Sequence, residues 1–175
     1  MPAGPIASLY TSVETSIGRL LVFRTAAGIA RIAFEDERED VVVTQVGACL
    51  NKAPVRADAG LKHEQQSLSA YLSGASDELD LPVDWSLVSG QFRRRVLQEL
   101  HAGVRRGESV TYGQLAARAG RAGAARAAGT ACARNPVPVL VPCHRVLPSS
   151  GRLGAYGGGV HCKRRLLTLE GCRFS

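Results

Sequence analysis

Three prolines, Pro136, Pro138 and Pro142, punctuate the segment from Asn135 to Val146 (NPVPVLVPCHRV) and constrain the chain more than any other feature. Each fixes φ near about −65° and removes a backbone donor, so helix is excluded. The pattern predicts a rigid, extended segment that delivers Cys143 and His144 side by side. Thiolate is the reactive form of cysteine, and a basic, histidine-containing setting favours it. Arg145 and Arg126 are the local cations expected to do so. Adjacent residues of an extended chain point to opposite sides, so His144 should reach the Cys143 sulfur through a water or a backbone bend. A base also needs a third group to orient it. Beyond residue 90 the only acids are Glu99, Glu108 and Glu170, and Glu170, after Leu166, Leu167 and Leu169, is the best placed. On these residues alone, a buried structural cysteine remains the competing reading.

Charge is distributed unevenly along the 175 residues. Residues 1–90 carry 7 basic against 12 acidic side chains, and residues 91–175 carry 15 against 3, giving −5 and +12 within a net +7. That asymmetry points to nucleic acid or another anionic surface as partner of the second half. With 45% hydrophobic and 21% charged residues, the chain can bury a core and is not globally disordered. It contains no apolar run long enough to span a membrane, and with no basic segment followed by an apolar run in MPAGPIASLY a secretory signal is not expected. Five cysteines spread from Cys49 to Cys172 without a C-x-x-C pair argue against a disulfide framework or a structural zinc site, and for a reducing cytoplasm.

The first half reads as short strands and turns. A turn at Ser16–Arg19 precedes a strand at Leu20–Phe23, and a turn at Ala26–Gly28 precedes a second strand over Ile29–Phe34, giving a hairpin. Val41–Val43 fits strand or helix. Residues 61–73 place Leu61, Leu68, Tyr71 and Leu72 on one helical face, and 81–85 is extended. After a boundary at 86–90, helices dominate. Phe92, Val96 and Leu100 form an apolar stripe over Gln91–His101. Thr111 is an N-cap for a helix over Tyr112–Ala119. A turn at Gly120–Gly123 leads to a helix over Ala124–Ala133, so the pair reads as a helix-turn-helix. The second of these helices is bare of long side chains except Arg126. It suits either close approach to a groove or tight packing inside the domain. Gly151–Gly159 is a glycine-rich loop carrying Tyr156; it lacks the nucleotide-binding patterns, and a loop presenting Tyr156 over a pocket is expected.

Pro142-Cys143-His144-Arg145-Val146, with Asn135-Pro136 upstream and Tyr156-Gly157-Gly158-Gly159 and Glu170 downstream, resembles the O6-alkylguanine-DNA alkyltransferase family. The likeness runs from about Phe92 to Gly171, and the Ser16-Ile17-Gly18 turn with its following strands is similar to the family's N-terminal domain. The resemblance implies a two-domain α/β fold. A ribonuclease-H-like small sheet domain would occupy 1–86, and a mainly helical, winged-helix-like domain with a helix-turn-helix would occupy 87–175. It further implies direct, stoichiometric transfer of an alkyl group from guanine O6 to cysteine, without cofactor or metal. Double-stranded DNA containing O6-alkylguanine would be the partner, engaged from the minor groove by a monomer, either singly or cooperatively along the DNA.

Role by role, the resemblance makes Cys143 the alkyl acceptor and His144 a base acting through a water, oriented by Glu170. Asn135 would hold the turn joining the DNA-binding helix to the site. Tyr112 would crowd a phosphate and donate a proton to guanine. Arg126 would fill the gap left by the flipped nucleotide, with Ala125 and Arg134 also facing DNA. The main chain at Cys143 and Val146 would accept from the guanine amino group, and Tyr156 and the Gly157 N–H would face O6. Alkyltransferase-like proteins, which bind the lesion without repairing it, lack the acceptor cysteine that Cys143 supplies here.

Overall fold

The computed structural model describes residues 8–175. Two compact units divide between Leu87 and Val88. The first is built on a four-stranded sheet: β1 (Leu9–Thr15), β2 (Gly18–Thr25), β3 (Gly28–Ala33) and β4 (Val55–Arg56), in the order β3-β2-β1-β4. The first three form an antiparallel meander, and β4 runs parallel to β1. The expected hairpin is β2–β3. Leu20, Leu21, Val22 and Phe23 are buried in succession on β2, as in a strand covered on both faces. Gly28 is required by a close approach: Ile29 donates to the Pro82 carbonyl at 2.7 Å, and a Cβ on Gly28 would lie 2.3 Å from that oxygen.

The valine run belongs to helix α1 (Glu39–Leu50), whose Val42 and Val46 pack on Leu21, Phe23 and Ala33. Helix α2 (Lys62–Ser73) buries Leu68, Tyr71 and Leu72, with Leu61 just before it, as the spacing predicts. Val83 forms a bridge with Ile29, consistent with an extended 81–85.

The second unit is mainly helical. Helix α3 (Gln91–Gly103) buries Val96, Leu97 and Leu100 completely, each such burial contributing about 1.5–3 kcal/mol. Here the predicted stripe is corrected, because Leu97 takes a full core position and Phe92 is only half-buried. Its ring lies 4.8 Å from the Arg121 guanidinium carbon, a cation–π contact near the surface. A short parallel ladder joins β5 (Val110–Thr111) to β6 (Val146–Leu147), bringing the start of the next helix beside the Cys143 turn.

Helices α4 (Tyr112–Arg118) and α5 (Ala125–Ala133) are the helix-turn-helix pair. Thr111 caps α4 as predicted, in a full capping box. The Gln114 N–H donates to Thr111 Oγ1 at 3.2 Å, and the Thr111 N–H donates to Gln114 Oε1 at 2.8 Å. Since Tyr112 is the first residue of α4, this cap also sets where Tyr112 stands. Thr111→Ala is expected to cost about 1 kcal/mol; an unchanged thermal midpoint would show that the cap contributes nothing. Helix α6 (Val160–Leu169) closes the unit, with Cys162, Lys163, Leu166 and Leu167 facing inward.

Candidate active site

The proline-rich segment departs from the extended form predicted for it. The Val141 N–H donates to the Val137 carbonyl at 2.9 Å, Cys143 N–H to Val141 at 2.8 Å and Arg145 N–H to Pro142 at 2.9 Å. The chain therefore turns tightly, and Cys143–Arg145 is one 3-10 turn. A φ near −65° suits turns as well as extended backbone, so the prolines excluded helix without selecting a straight chain. Val139 completes the bend in the left-handed region, at φ 72, a conformation that costs a β-branched residue about 1–2 kcal/mol. The side chain of Asn135 holds the bend together: Nδ2 donates to the Val141 carbonyl at 2.8 Å, and Oδ1 accepts from the Val137 N–H at 3.0 Å.

This turn points His144 into the interior, where its side chain has no exposure. His144 Nε2 lies 2.8 Å from Glu170 Oε1. Arg145 grips the same carboxylate, Nε to Oε2 at 2.8 Å and Nη2 to Oε1 at 3.0 Å, and its Nη1 donates to the Val104 carbonyl at 2.6 Å. Glu170 ends α6 at the C-cap position. Burial alone would raise the Glu170 carboxyl, but the hydrogen bonds and positive partners of His144 and Arg145 outweigh it. They hold it well below the usual carboxylate range. Burial lowers the His144 imidazole, with Glu170 opposing in part. His144 is thus neutral. The carboxylate accepts a hydrogen bond from Nε2–H, which leaves Nδ1 with a lone pair and, among the described residues, no hydrogen-bond partner. The tautomer follows from this bonding pattern.

Cys143 is buried beside this relay. Burial pushes its thiol up, while a hydrogen bond from the Asn135 side chain and the charge of Lys163 pull it down. The cations expected to favour the thiolate are thereby corrected: Arg145 is committed to Glu170, and Arg126 is exposed on α5. Lys163 was missed from sequence. It is completely buried on α6, and its Nζ donates to the Val146 carbonyl at 2.8 Å. Its position three and four residues before Leu166 and Leu167 was a usable signal, since that spacing puts it on the apolar face.

Tyr112 is half-buried, and burial followed by the negative charge of Cys132 and Cys143 pushes its phenol up to about 12. Gly129 on α5 leaves room for that ring, whose nearest carbon would lie 3.8 Å from a Cβ there. The Tyr156 ring meets His144 edge-on with centroids 6.4 Å apart, and burial raises its phenol well above the ordinary value. Gly157 is exposed in the same loop. Of the two carbonyls expected to receive a guanine amino group, that of Val146 already accepts from Lys163, and that of Cys143 from the Val146 N–H. Each retains a second lone pair. On α5, Ala128 and Ala131 are buried whereas Arg126 and Ala127 are exposed, so its small residues serve tight packing on one side and a bare outer face on the other. Ala125 opens this helix and Arg134 caps its end, so both stand on α5 with Arg126 rather than in the buried Cys143–His144–Glu170 cluster. Among the described residues no group of three His, Cys, Asp or Glu could hold a metal ion, and no helix is long and apolar enough to cross a membrane.

Known proteins match both units. Residues 8–85 match the family model "6-O-methylguanine DNA methyltransferase, ribonuclease-like domain", and residues 91–172 match "6-O-methylguanine DNA methyltransferase, DNA binding domain". A methylated-DNA--protein-cysteine methyltransferase of Mycolicibacterium paratuberculosis is 44% identical over 92% of this chain and 91% of its own length. Its counterpart in Rattus norvegicus is 38% identical over 93% and 81%. Among solved structures, an O6-methylguanine methyltransferase of Mycobacterium tuberculosis superposes with a TM-score of 0.77 at 33% identity, covering 94% of this chain and 93% of that one. A Mycobacterium tuberculosis OGT in complex with DNA gives 0.79 at 32% identity, covering 93% and 92%. This chain belongs to the 6-O-methylguanine DNA methyltransferase family.

Proposed function

We propose that this protein repairs O6-alkylguanine in duplex DNA by transferring the alkyl group, once and irreversibly, to Cys143. The observation that carries the reading is the buried Glu170–His144 pair, with a free Nδ1 lone pair on the same turn as the cysteine. In this account Glu170 orients the imidazole. His144 Nδ1 accepts the thiol proton through a water, and the thiolate attacks the alkyl carbon in line with the departing O6. The C–O bond breaks as the S–C bond forms, and Tyr112 supplies a proton to the guanine. Its high pKa keeps that proton in place until the base becomes anionic. Asn135 keeps the bent segment rigid, so that the sulfur is held in position before substrate arrives.

An O6 atom inside a base stack is out of reach, so the nucleotide must be extruded at a cost of a few kcal/mol. The second unit supplies the means. The exposed, bare face of α5 approaches the minor groove, Arg126 fills the vacated place, and Arg134 and Ala125 lie along the same helix. Tyr156, the Gly157 N–H and the main chain at Cys143 and Val146 line the base pocket. The protein acts as a monomer in the cytoplasm.

The test is conversion of a single O6-methylguanine in duplex DNA to guanine at rising protein concentration. Repair should stop at one lesion per protein molecule. Continued turnover would contradict the reading, and tight binding without conversion would favour a non-repairing lesion binder. Arg126→Ala should slow repair of duplex at least about tenfold and leave reaction with the free base O6-benzylguanine nearly unchanged, because only duplex has a gap to fill. Equal losses on both substrates would remove that role from Arg126.

A further inference from the structure

The buried charges of the second unit do not balance. Among its described residues the buried charged side chains are Arg145, Lys163 and Glu170. Glu170 is taken by Arg145 and His144. Lys163 has no carboxylate; its Nζ hydrogen-bonds to the Val146 carbonyl. Val146 in turn donates its N–H to the Cys143 carbonyl, closing the 3-10 turn. The backbone of a single residue, Val146, thus links the ammonium to the residue that bears the sulfur, and the backbone of Lys163 is tied to Gly159 through the first helical bond of α6 at 3.2 Å. An unpaired cation in such a place is costly unless an anion can form beside it.

We propose that Lys163 is the counter-cation of the Cys143 thiolate, a positioning residue whose fixed charge favours ionisation of the buried sulfur. Every element around Cys143 supports that assignment. Tyr112 from α4, Cys132 from α5 and Tyr156 from the glycine-rich loop are held protonated and neutral at neutral pH by burial. His144, on the same turn, is neutral as well, and Arg145 is committed to Glu170. Lys163 is therefore the standing positive charge beside the sulfur before His144 takes the thiol proton, and the two titrate against each other: each charge favours the other's ionised form. Once the sulfur becomes a thioether, that anion is gone and the lysine loses its reason to stay protonated.

The inference rests on Cys143 as alkyl acceptor, and the experiment separates the two. In wild type, transfer from O6-methylguanine duplex must map to Cys143; if it does not, the underlying reading fails. Given transfer in wild type, Lys163→Met should slow it at pH 7 by about tenfold or more and move the rise of the rate–pH profile upward by about one unit or more, as loss of thiolate requires. Duplex affinity should stay within about twofold, since Lys163 is buried away from solvent. A folded Lys163→Met with wild-type rate, or slower transfer with an unmoved pH profile, would overturn the assignment and leave Lys163 a packing role. If that variant does not fold, wild type still decides. The Lys163 side-chain NMR resonance should titrate at lower pH after S-methylation of Cys143 than before, and an unchanged midpoint would overturn the proposal.

Discussion

Cys143→Ser is expected to reduce alkyl transfer by on the order of a thousandfold or more while leaving duplex binding intact. Displacement at an alkyl carbon needs a strong nucleophile, and at neutral pH a thiol can be ionised by a neutral imidazole whereas a hydroxyl cannot to a useful extent. The relay of Glu170 and His144 remains in this variant, as does Lys163, so the loss isolates the sulfur itself. Binding survives because the exposed residues proposed to meet DNA, Arg126 and Arg134, lie on α5, and Cys143 exposes only 7% of its surface. Single-turnover repair of an O6-methylguanine duplex, beside a direct binding titration, checks both halves. Retained transfer would remove Cys143 as acceptor; a loss of binding equal to the loss of transfer would make it structural.

Glu170→Ala should have the largest effect on stability. The carboxylate accepts three hydrogen bonds from His144 and Arg145, and its side chain has no exposure. Removing it strands a buried guanidinium, a change that typically costs about 3–5 kcal/mol. It also frees the His144 ring, so transfer should fall with stability. The pH dependence has a definite sign. Glu170 has a folded pKa below its unfolded value, so its contribution is fully present above about pH 4.3 and is lost as pH falls through the lower folded value. His144 also has a depressed folded pKa, so the folded state binds fewer protons than the unfolded chain once pH drops below about 6.5. Wild type should therefore lose stability on acidification, beginning near about pH 6.5. Its advantage over Glu170→Ala should persist from about pH 8 to 5 and shrink only below about pH 4. Denaturant titrations at these pH values measure it. A difference under about 1 kcal/mol at pH 7 would mean that the network contributes little.

Much of this was legible in the residues because the informative features were local. The Thr111 cap, the α2 face and the β2–β3 hairpin each rest on spacing within one element, and each is present. Glu170 was reachable by elimination, since the basic half offered three acids and only one ended a helix. Other features depended on contacts between elements. Strand β1 is rich in small polar residues, Thr11 and Ser12 among them, and is defined by its pairing with β2 rather than by its own periodicity. The bend of Asn135–Val146 was misread as extension because proline restricts φ and leaves ψ open, and because the left-handed Val139 has no sequence signal. Lys163 was hidden among Arg164 and Arg165, in a run that reads as a solvated basic face until packing turns one residue inward.

The central claim is most directly tested by the intact mass of the protein after mixing with duplex DNA containing one O6-methylguanine. One-step transfer predicts a gain of one methylene, about 14 Da, saturating at one equivalent and mapping to Cys143. An unchanged mass after the lesion has been bound, or a gain that maps to another residue, would contradict it.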